Sequence, residues 1–317
     1  MGTALAQVLA GNGHSVRLWS IEQDVLEDVR HNRANTKYLK GVKLSERIEA
    51  APELKEALGG AELALFSVTS QVLRLVARDA APHLQERCTV LNVAKGLEEE
   101  SNLRLSQVLS QEFGTAAPGI VCLGGPAMAS QFAARVPTAV IAGSEDAAAA
   151  KLVQTALQNE YLKLELTDDI VGLEMCATLK NAYAISLGIC DGLGLAMNTK
   201  SFLVALALGE MASLVEALRG RRETAYGLAG VGDLITTGFS ADGRNRRLGE
   251  KMGAGEDWQE FLQGPTLEGV PACHSARNLA HQHGVETPLL HVVYTILCGE
   301  KEPRNAVREF LRGFAFV

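Results

Sequence analysis

The sequence predicts an α/β fold in which a doubly wound, mostly parallel sheet is followed by an all-helical part. Up to about residue 166, short apolar runs rich in β-branched residues alternate with segments of helical spacing. Beyond that point long helical segments follow, with little strand character. The 317 residues also exceed the roughly 250–300 at which a single hydrophobic core stops growing. We therefore expect two domains, residues 1–166 and residues 167–317.

The elements of the first domain follow from its apolar runs. The predicted strands cover residues 14–19, 62–68, 88–93, 119–123, 138–142 and 161–166. The segments 21–32, 71–79 and 102–113 combine helical spacing with good helix formers. Alternating units of this kind form parallel sheets with helices on both faces, and ligands bind at the carboxyl ends of the strands.

The second domain is predicted to be helical throughout. Helices are expected at residues 170–187, 199–218, 244–252, 258–262, 270–282 and 288–298. Residues 167–169, Thr-Asp-Asp, form a plausible cap for the first of them. Residues 199–218 are apolar nearly all round, which predicts a central buried helix.

Charge and composition exclude several classes of partner. The net charge of −7 provides no diffuse field that would attract nucleic acid or an anionic membrane. The longest apolar stretch, residues 202–209, falls short of the ~18 residues that span a bilayer. Scattered cysteines without a Cys-x-x-Cys pair indicate reduced, mostly buried thiols of a cytoplasmic protein. We expect no metal, because His281 and His283 face different sides of a helix.

The first residues resemble part of a dinucleotide-binding unit. In such a unit the third glycine of Gly-x-Gly-x-x-Gly opens a helix, and an acidic residue follows the next strand. Gly2 fits that third glycine, residues 14–19 fit the strand, and Glu22 fits the acid. An ordinary amphipathic helix before a strand explains the same residues, because the first two glycines are not in the sequence.

Lys180 lies on an otherwise apolar stripe of its predicted helix. Its helical neighbours include Cys176, Ala177, Tyr183 and Ala184. Desolvation, reinforced by a nearby positive charge, lowers the pKa of such a lysine toward the range of a general base. The alternative is an ammonium group that reaches the surface or meets a single carboxylate.

Residues 230–249 combine a glycine-rich turn with a basic helix start. The turn carries Asp233, and Gly243, Arg244 and Asn245 then open a helix, where unpaired N–H groups and the helix dipole favour an anion. Arg244 can form a bidentate pair of hydrogen bonds with phosphate oxygens. A solvated basic helix end explains Arg246 and Arg247 equally well.

The ends of two predicted strands are further candidate positions for a functional site. Lys95 and Gly96 follow one predicted strand, and Gly125 follows another. Each place is where a doubly wound sheet forms its site, although a strand-ending Lys-Gly is common in loops.

Taken together, these places resemble the NAD(P)-dependent sn-glycerol-3-phosphate dehydrogenases along almost the whole chain. The order and spacing of the matching segments carry the resemblance, and these segments are residues 2–6, 16–19, 35–39, 68–71, 94–98, 125–126, 136–140, 179–184, 190–200, 232–237, 243–246 and 268–269. The resemblance implies reversible reduction of dihydroxyacetone phosphate to sn-glycerol 3-phosphate, which feeds phospholipid synthesis, and a homodimer built through the helical half.

The resemblance also implies roles for individual residues. Lys180 looks like the proton donor and acceptor at the substrate C2 oxygen, Lys95 helps to bind and polarise the substrate, and Asp233 orients the lysine or a hydroxyl. The implied substrate-binding residues are Lys95, Gly125, Lys180, Asn181, Asp233, Thr237, Gly243, Arg244 and Asn245. The implied cofactor-binding residues are Gly2, Glu22, Lys95, Ala129, Arg244 and Glu268.

Three departures from the family pattern qualify the resemblance. Ala127 stands where the family has a serine, so one hydroxyl is lost. Ile21 stands where bacterial members have an arginine that suits a 2′-phosphate, and Glu22 leaves an acid beside the ribose; we therefore expect NAD rather than NADP as the cofactor. The first strand and the Gly-x-Gly turn are not in the sequence, so we expect a shortened dehydrogenase. The alternatives are another two-domain β-hydroxyacid dehydrogenase and a non-catalytic binder of phosphorylated metabolites.

Overall fold

The computed structural model describes residues 1–114, 119–262 and 267–313. The chain forms two compact units. Unit 1 consists of Met1–Ala94 and Leu105–Ile170, and unit 2 consists of Lys95–Arg104 and Val171–Val317. The segment after the fourth strand thus belongs to the helical unit.

Unit 1 is a layered α/β structure. Its strands are β1 (Val16–Leu18), β2 (Ile48–Ala50), β3 (Leu63–Phe66), β4 (Thr89–Asn92), β5 (Ile120–Gly124), β6 (Thr138–Gly143) and β7 (Leu162–Thr167). Its helices are α1 (Gly2–Gly11), α2 (Gln23–Asn32), α3 (Leu54–Leu58), α4 (Leu73–Ala80), α5 (Leu105–Phe113), α6 (Ala129–Ala133) and α7 (Ala147–Leu157).

The strands form two sheets. β1 and β2 pair in parallel, and the other strands form one sheet in the order β3-β4-β5-β6-β7. Every pair in the larger sheet is parallel except β5 with β6. The prediction of a mostly parallel, Rossmann-like sheet is confirmed. Apolar residues of α1 pack with those of the central strands in one core cluster, which includes Leu5, Val8, Leu91 and Val121.

Unit 2 consists mostly of helices, as predicted. They are α8 (Ile170–Gly192), α9 (Met197–Ala217), α10 (Asp233–Phe239), α11 (Arg244–Ala254), α12 (Gln259–Leu262), α13 (Gly269–His283), α14 (Pro288–Leu297) and α15 (Pro303–Gly313). A π-helical turn at Leu228–Gly232 leads directly into α10.

The prediction that residues 199–218 form the central buried helix is wrong. In this chain α9 buries one face, whereas Ser201 and Ala205 on the same helix are exposed. The continuously buried helix is α8, in which every residue from 172 to 190 is buried. The apolar composition of α9 is matched by α8, and the sequence pattern does not distinguish which of the two is surrounded by other helices.

Close contact between α8 and α11 positions the start of α11. A Cβ atom on Gly188 would lie 1.8 Å from the carbonyl oxygen of Arg246, and one on Gly249 would lie 2.0 Å from that of Ile185. The two backbones therefore touch, which only glycine permits. This contact fixes the N-terminal turn of α11 against the middle of α8.

The cysteines agree with the prediction of mostly buried thiols. Five of the six cysteines are buried and all are free thiols, and Cys298 is exposed. No group of three or more His, Cys, Asp and Glu side chains suited to a metal ion occurs within residues 1–114, 119–262 and 267–313. Over the same ranges, none of the helices combines the length and the apolarity that a membrane crossing requires.

Candidate active site

A buried carboxylate joins two lysines at the centre of unit 2. Asp233, the first residue of α10, accepts a hydrogen bond from the Lys180 ammonium on α8 at 2.8 Å and from the Lys95 ammonium at 2.5 Å. The Asp233 side chain is 2% exposed, and those of Lys180 and Lys95 are 8% and 14% exposed. Lys180 therefore does not reach the surface, and a shared carboxylate holds the two ammonium groups close together.

Thr237 completes the surroundings of the Lys180 ammonium. It lies one turn after Asp233 on α10, and its hydroxyl oxygen accepts a hydrogen bond from Lys180 at 2.7 Å. A lysine ammonium has three N–H donors. Within the described part of the chain, Asp233 and Thr237 accept two of them, which leaves one N–H group for an oxygen atom of a bound molecule.

The electrostatics of this cluster suit proton transfer. Burial lowers the pKa of Lys180 to about 8, the charge of Lys95 acts in the same direction, and Asp233 opposes both. Burial raises the pKa of Asp233, but Lys180 and Lys95 outweigh that effect and hold it below the usual value. Asp233 thus stays ionised while Lys180 titrates near physiological pH, which is where a general acid or base works best.

The N-terminal turn of α11 lies beside this cluster. Gly243 is the N-cap, Arg244 is the first residue, and the Arg244 side chain is exposed. Asn245 is buried: its amide nitrogen donates to Asn181 at 3.0 Å, and its amide oxygen accepts from the Gly269 N–H at 3.1 Å. Asn245 is thereby held by α8 and α13, whereas the Arg244 side chain is exposed to solvent.

Glu268 lies close to the same groups. Burial raises its pKa, while Lys180, Lys95 and Arg244 lower it. The Glu268 carboxylate accepts a hydrogen bond from the side-chain amide of Asn181 at 3.3 Å. Asp233 and Thr237 thus contact the Lys180 ammonium, Lys95 shares Asp233 with it, and hydrogen bonds join Asn181 to Asn245 and Glu268.

Arg246 is not part of a solvated helix end. Its guanidinium donates to Asp191 at 2.6 Å and to the backbone oxygen of Ser240 at 2.8 Å, and its side chain is 12% exposed. Asp191 also pairs with Lys200 at 2.8 Å. The alternative of a solvated helix end is wrong for Arg246, whereas Arg247 is exposed and lies over the Phe261 ring at 5.6 Å.

The remaining predicted site residues belong to unit 1. Gly2 is the first residue of α1, and a Cβ atom there would lie 3.0 Å from that of Ser67, which follows β3. The start of α1 thus approaches the residue just beyond β3, and such close packing is what the third glycine of a dinucleotide-binding turn allows. The residues present therefore fit a nicotinamide dinucleotide, whose pyrophosphate binds at such a helix N-terminus.

Glu22 is paired rather than isolated. It is the N-cap of α2, and its carboxylate accepts from the Lys37 ammonium at 2.6 Å and from the Tyr38 hydroxyl at 3.1 Å. The hydrogen bond from Lys37 is the main cause that lowers the pKa of Glu22. Gly125 follows β5 with a φ of 94°, and Ala129 is the first residue of α6.

Comparison with known proteins identifies the family. Residues 1–150 match the family model described as NAD-dependent glycerol-3-phosphate dehydrogenase N-terminus, and residues 169–308 match the corresponding C-terminus. The chain belongs to the NAD-dependent glycerol-3-phosphate dehydrogenase family. The dependence on NAD(P) and the enzymatic nature of this family agree with the site described above.

Relatives match over nearly their whole length. Glycerol-3-phosphate dehydrogenase [NAD(P)+] of Syntrophotalea carbinolica is 37% identical, over 98% of this chain and 94% of the relative. That of Clostridium perfringens is 35% identical, over 96% of this chain and 92% of the relative. A crystal structure of glycerol-3-phosphate dehydrogenase from Coxiella burnetii superposes with a TM-score of 0.92 at 35% identity, over 98% of this chain and 95% of that one.

Two features of the site were missed by sequence reasoning. The contact between α8 and α11 is marked by Gly188 and Gly192 on one helix and by Gly249 and Gly253 on the other, and this four-residue spacing of glycines was an available signal. The ion pair between Arg104 and Glu174 left no such signal, because its two residues are 70 positions apart.

Proposed function

We propose that this protein catalyses the reversible interconversion of dihydroxyacetone phosphate and sn-glycerol 3-phosphate, with Lys180 as the group that exchanges the proton at the C2 oxygen. The observation that carries this proposal is the buried cluster in which Asp233 holds the Lys180 and Lys95 ammonium groups. Family membership supports the same reaction.

The side chains of the cluster have distinct parts in the reaction. In the reductive direction Lys180 donates a proton to the carbonyl oxygen at C2 as that carbon gains a hydride, and in the oxidative direction neutral Lys180 removes the hydroxyl proton. Lys95 polarises the same oxygen through its positive charge. Asp233 and Thr237 fix the direction of the Lys180 ammonium. A bound nicotinamide supplies or accepts the hydride.

The start of α11 is the proposed phosphate site. Arg244 and the N–H groups of the first turn are suited to an anion, and Gly243 and Asn245 shape the turn. Asn181 positions Asn245 through their hydrogen bond. Gly125 is carried over from the family pattern as a further substrate contact.

The proposed cofactor residues, carried over from the family pattern, are Gly2, Glu22, Lys95, Ala129, Arg244 and Glu268. Glu22 favours NAD over NADP, because a carboxylate beside the ribose disfavours a 2′-phosphate. We further propose a dinucleotide-binding domain of residues 1–166, a substrate domain of residues 167–317, a homodimer, a cytoplasmic location and a role in phospholipid synthesis.

Steady-state kinetics with purified protein test the proposal. We expect NADH-dependent reduction of dihydroxyacetone phosphate at a far higher kcat/KM than of dihydroxyacetone or of 2-keto acids. Arg244→Ala should raise KM for the phosphorylated substrate by about 10- to 100-fold, since a charged hydrogen bond contributes about 1.5–3 kcal/mol. Arg247→Ala, the neighbouring exposed arginine on α11, is the matched control and should leave KM unchanged. Equal activity on unphosphorylated substrates contradicts the proposal.

A further inference from the structure

The segment that carries Lys95 is a closed hairpin. We call Lys95–Arg104 the Lys95 hairpin; it lies between β4 and α5 in sequence but belongs to unit 2. Leu97 pairs with Arg104 in an antiparallel bridge, and the Glu98 N–H donates to the Leu103 carbonyl oxygen at 3.1 Å. Lys95 is therefore two residues from a backbone bridge to the other end of the hairpin.

Ion pairs join both ends of this hairpin to the helices of unit 2. At one end Lys95 pairs with Asp233 on α10 at 2.5 Å. At the other end the Arg104 guanidinium pairs with Glu174 on α8 at 2.9 Å, with the two side chains 17% and 6% exposed. The second pair has no part in the proposed proton transfer, yet it is nearly as buried as the first.

Glu174 links the Arg104–Glu174 ion pair to the proton-transfer group, because it lies on the same helix as Lys180. Glu174 precedes Lys180 by six residues on the same helix, which corresponds to about 9 Å along the axis. The Glu174 carbonyl oxygen also accepts the Thr178 hydroxyl at 2.8 Å within that helix. A rigid, buried helix thus holds Glu174 at a fixed distance from Lys180, and the backbone bridge transmits the anchoring of Arg104 to Leu97 and onward to Lys95.

We propose that Arg104 and Glu174 are a positioning pair, which seats the Lys95 hairpin on α8 and thereby keeps the Lys95 ammonium beside Asp233 and Lys180. This inference rests on the proposed function, because it concerns the setting of the proton-transfer group. It assigns no contact with substrate or cofactor to either residue. The pair acts through Lys95 alone.

Release of the Lys95 hairpin is expected to change the pKa of Lys180. The charged groups that face Lys180 are Asp233 from α10, Lys95 from the hairpin and Glu268 from the start of α13. Apart from burial, Lys95 is the group among these that lowers the pKa of Lys180. When the hairpin is released, Lys95 moves away and the pKa of Lys180 rises by about one unit, the lower end of the effect of a neighbouring charge.

Glu174→Gln tests this prediction, because it keeps the size of the side chain and removes the charge. In the oxidation of glycerol 3-phosphate Lys180 must be neutral, so the rate rises with pH through its pKa. We expect the midpoint of kcat against pH to move up by about one unit and kcat at about pH 7 to fall by about tenfold or more, because displacement of Lys95 also weakens the polarisation of the C2 oxygen at every pH. Glu216→Gln, which removes an exposed carboxylate paired with Arg222 on the same unit, is the control and should keep the wild-type midpoint.

Variants of Arg104 separate positioning from folding. Arg104→Lys keeps the charge and should retain a midpoint near that of wild type. The double variant Arg104→Ala with Glu174→Ala removes both charges of the pair together, so it is expected to fold, and it should reproduce the shift. A wild-type midpoint in both Glu174→Gln and the double variant overturns the inference.

A readout without turnover separates a failure of this inference from a failure of the proposed function. Lysines labelled with ¹³C at Cε report their own titration by NMR, and the Lys180→Met variant identifies the Lys180 signal. We expect the Lys180 midpoint of Glu174→Gln to lie about one unit above that of wild type. Inactivity of wild type on dihydroxyacetone phosphate would sink the proposed function, whereas an unmoved NMR midpoint would sink the positioning role.

Discussion

Replacement of Asp233 by asparagine removes one charge from the centre of the site and leaves its shape. The carboxylate is 2% exposed and contacts the Lys180 and Lys95 ammonium groups at 2.8 Å and 2.5 Å. In Asp233→Asn two buried ammonium groups remain close together without the carboxylate that both contact. Loss of one partner of a buried ion pair costs about 3–5 kcal/mol, so we expect Tm to fall by roughly 10 °C.

The same substitution moves the pKa of Lys180 in a defined direction. Asp233 raises that pKa, which burial and Lys95 lower, and the net value is about 8. Removal of the carboxylate therefore lowers the pKa further, by about one to three units. Reduction of the ketone needs protonated Lys180, and for a fall of about two units the protonated fraction at about pH 7 decreases roughly tenfold. The reductive pH profile shifts to lower pH.

The assay is kcat for reduction of dihydroxyacetone phosphate across about pH 5 to pH 10, with thermal denaturation of the same samples. Asp79→Asn, which removes an exposed carboxylate on α4, is the control and should change neither quantity. A descending limb that stays at the wild-type pH or moves upward would refute the account of how Asp233 and Lys180 are coupled. Asp233→Asn and Glu174→Gln should shift the Lys180 pKa in opposite directions.

Two further substitutions probe the scaffold and the cofactor site. Gly249→Ala should lower the free energy of unfolding by about 3 kcal/mol in a denaturation experiment, because its Cβ would lie 2.0 Å from the Ile185 carbonyl oxygen. The same variant should raise KM for the phosphorylated substrate, since it displaces the start of α11. Gly209→Ala on α9 is the control and should be neutral or stabilising, because its Cβ meets nothing within 4 Å. Glu22→Gln should raise kcat/KM for NADPH relative to NADH, because it removes a negative charge that disfavours a 2′-phosphate, while Asp24 still holds the Lys37 ammonium at 3.1 Å. Glu27→Gln on the exposed face of α2 is its control, and an unchanged cofactor ratio argues against the preference for NAD.

Local pattern was sufficient for most of the fold. The apolar runs of unit 1 are long enough to predict each strand except β2, which has three residues and follows no apolar run. Helices α3, α6, α7, α10 and α15 were also missed. The prediction that a glycine-rich turn carries Asp233 is wrong, because Asp233 is the first residue of α10. The burial of α8 rather than α9 depends on which helices surround it, and that is a property of tertiary packing.

The site was predictable in part. The apolar neighbours of Lys180 indicated that its ammonium needs a partner or a use, since a buried charge without either is costly. Its partner Asp233 lies 53 residues away, and no periodicity relates two residues at that separation. The Arg104–Glu174 pair was missed for the same reason. Ion pairs between residues so far apart in the sequence can be identified only once the three-dimensional arrangement of the helices is known.

The most direct test of the central claim compares two buried lysines. Lys180 and Lys200 are 6% and 7% exposed, and each donates to an aspartate at 2.8 Å. With saturating substrates, Lys180→Met should lower kcat for dihydroxyacetone phosphate reduction by about 10²–10⁴-fold, the usual contribution of a general acid. Lys200→Met should keep kcat near that of wild type, although both variants lose a buried ion pair. A Lys180→Met enzyme that retains wild-type kcat, or an equal loss in both variants, would contradict the assignment of Lys180 as the proton donor.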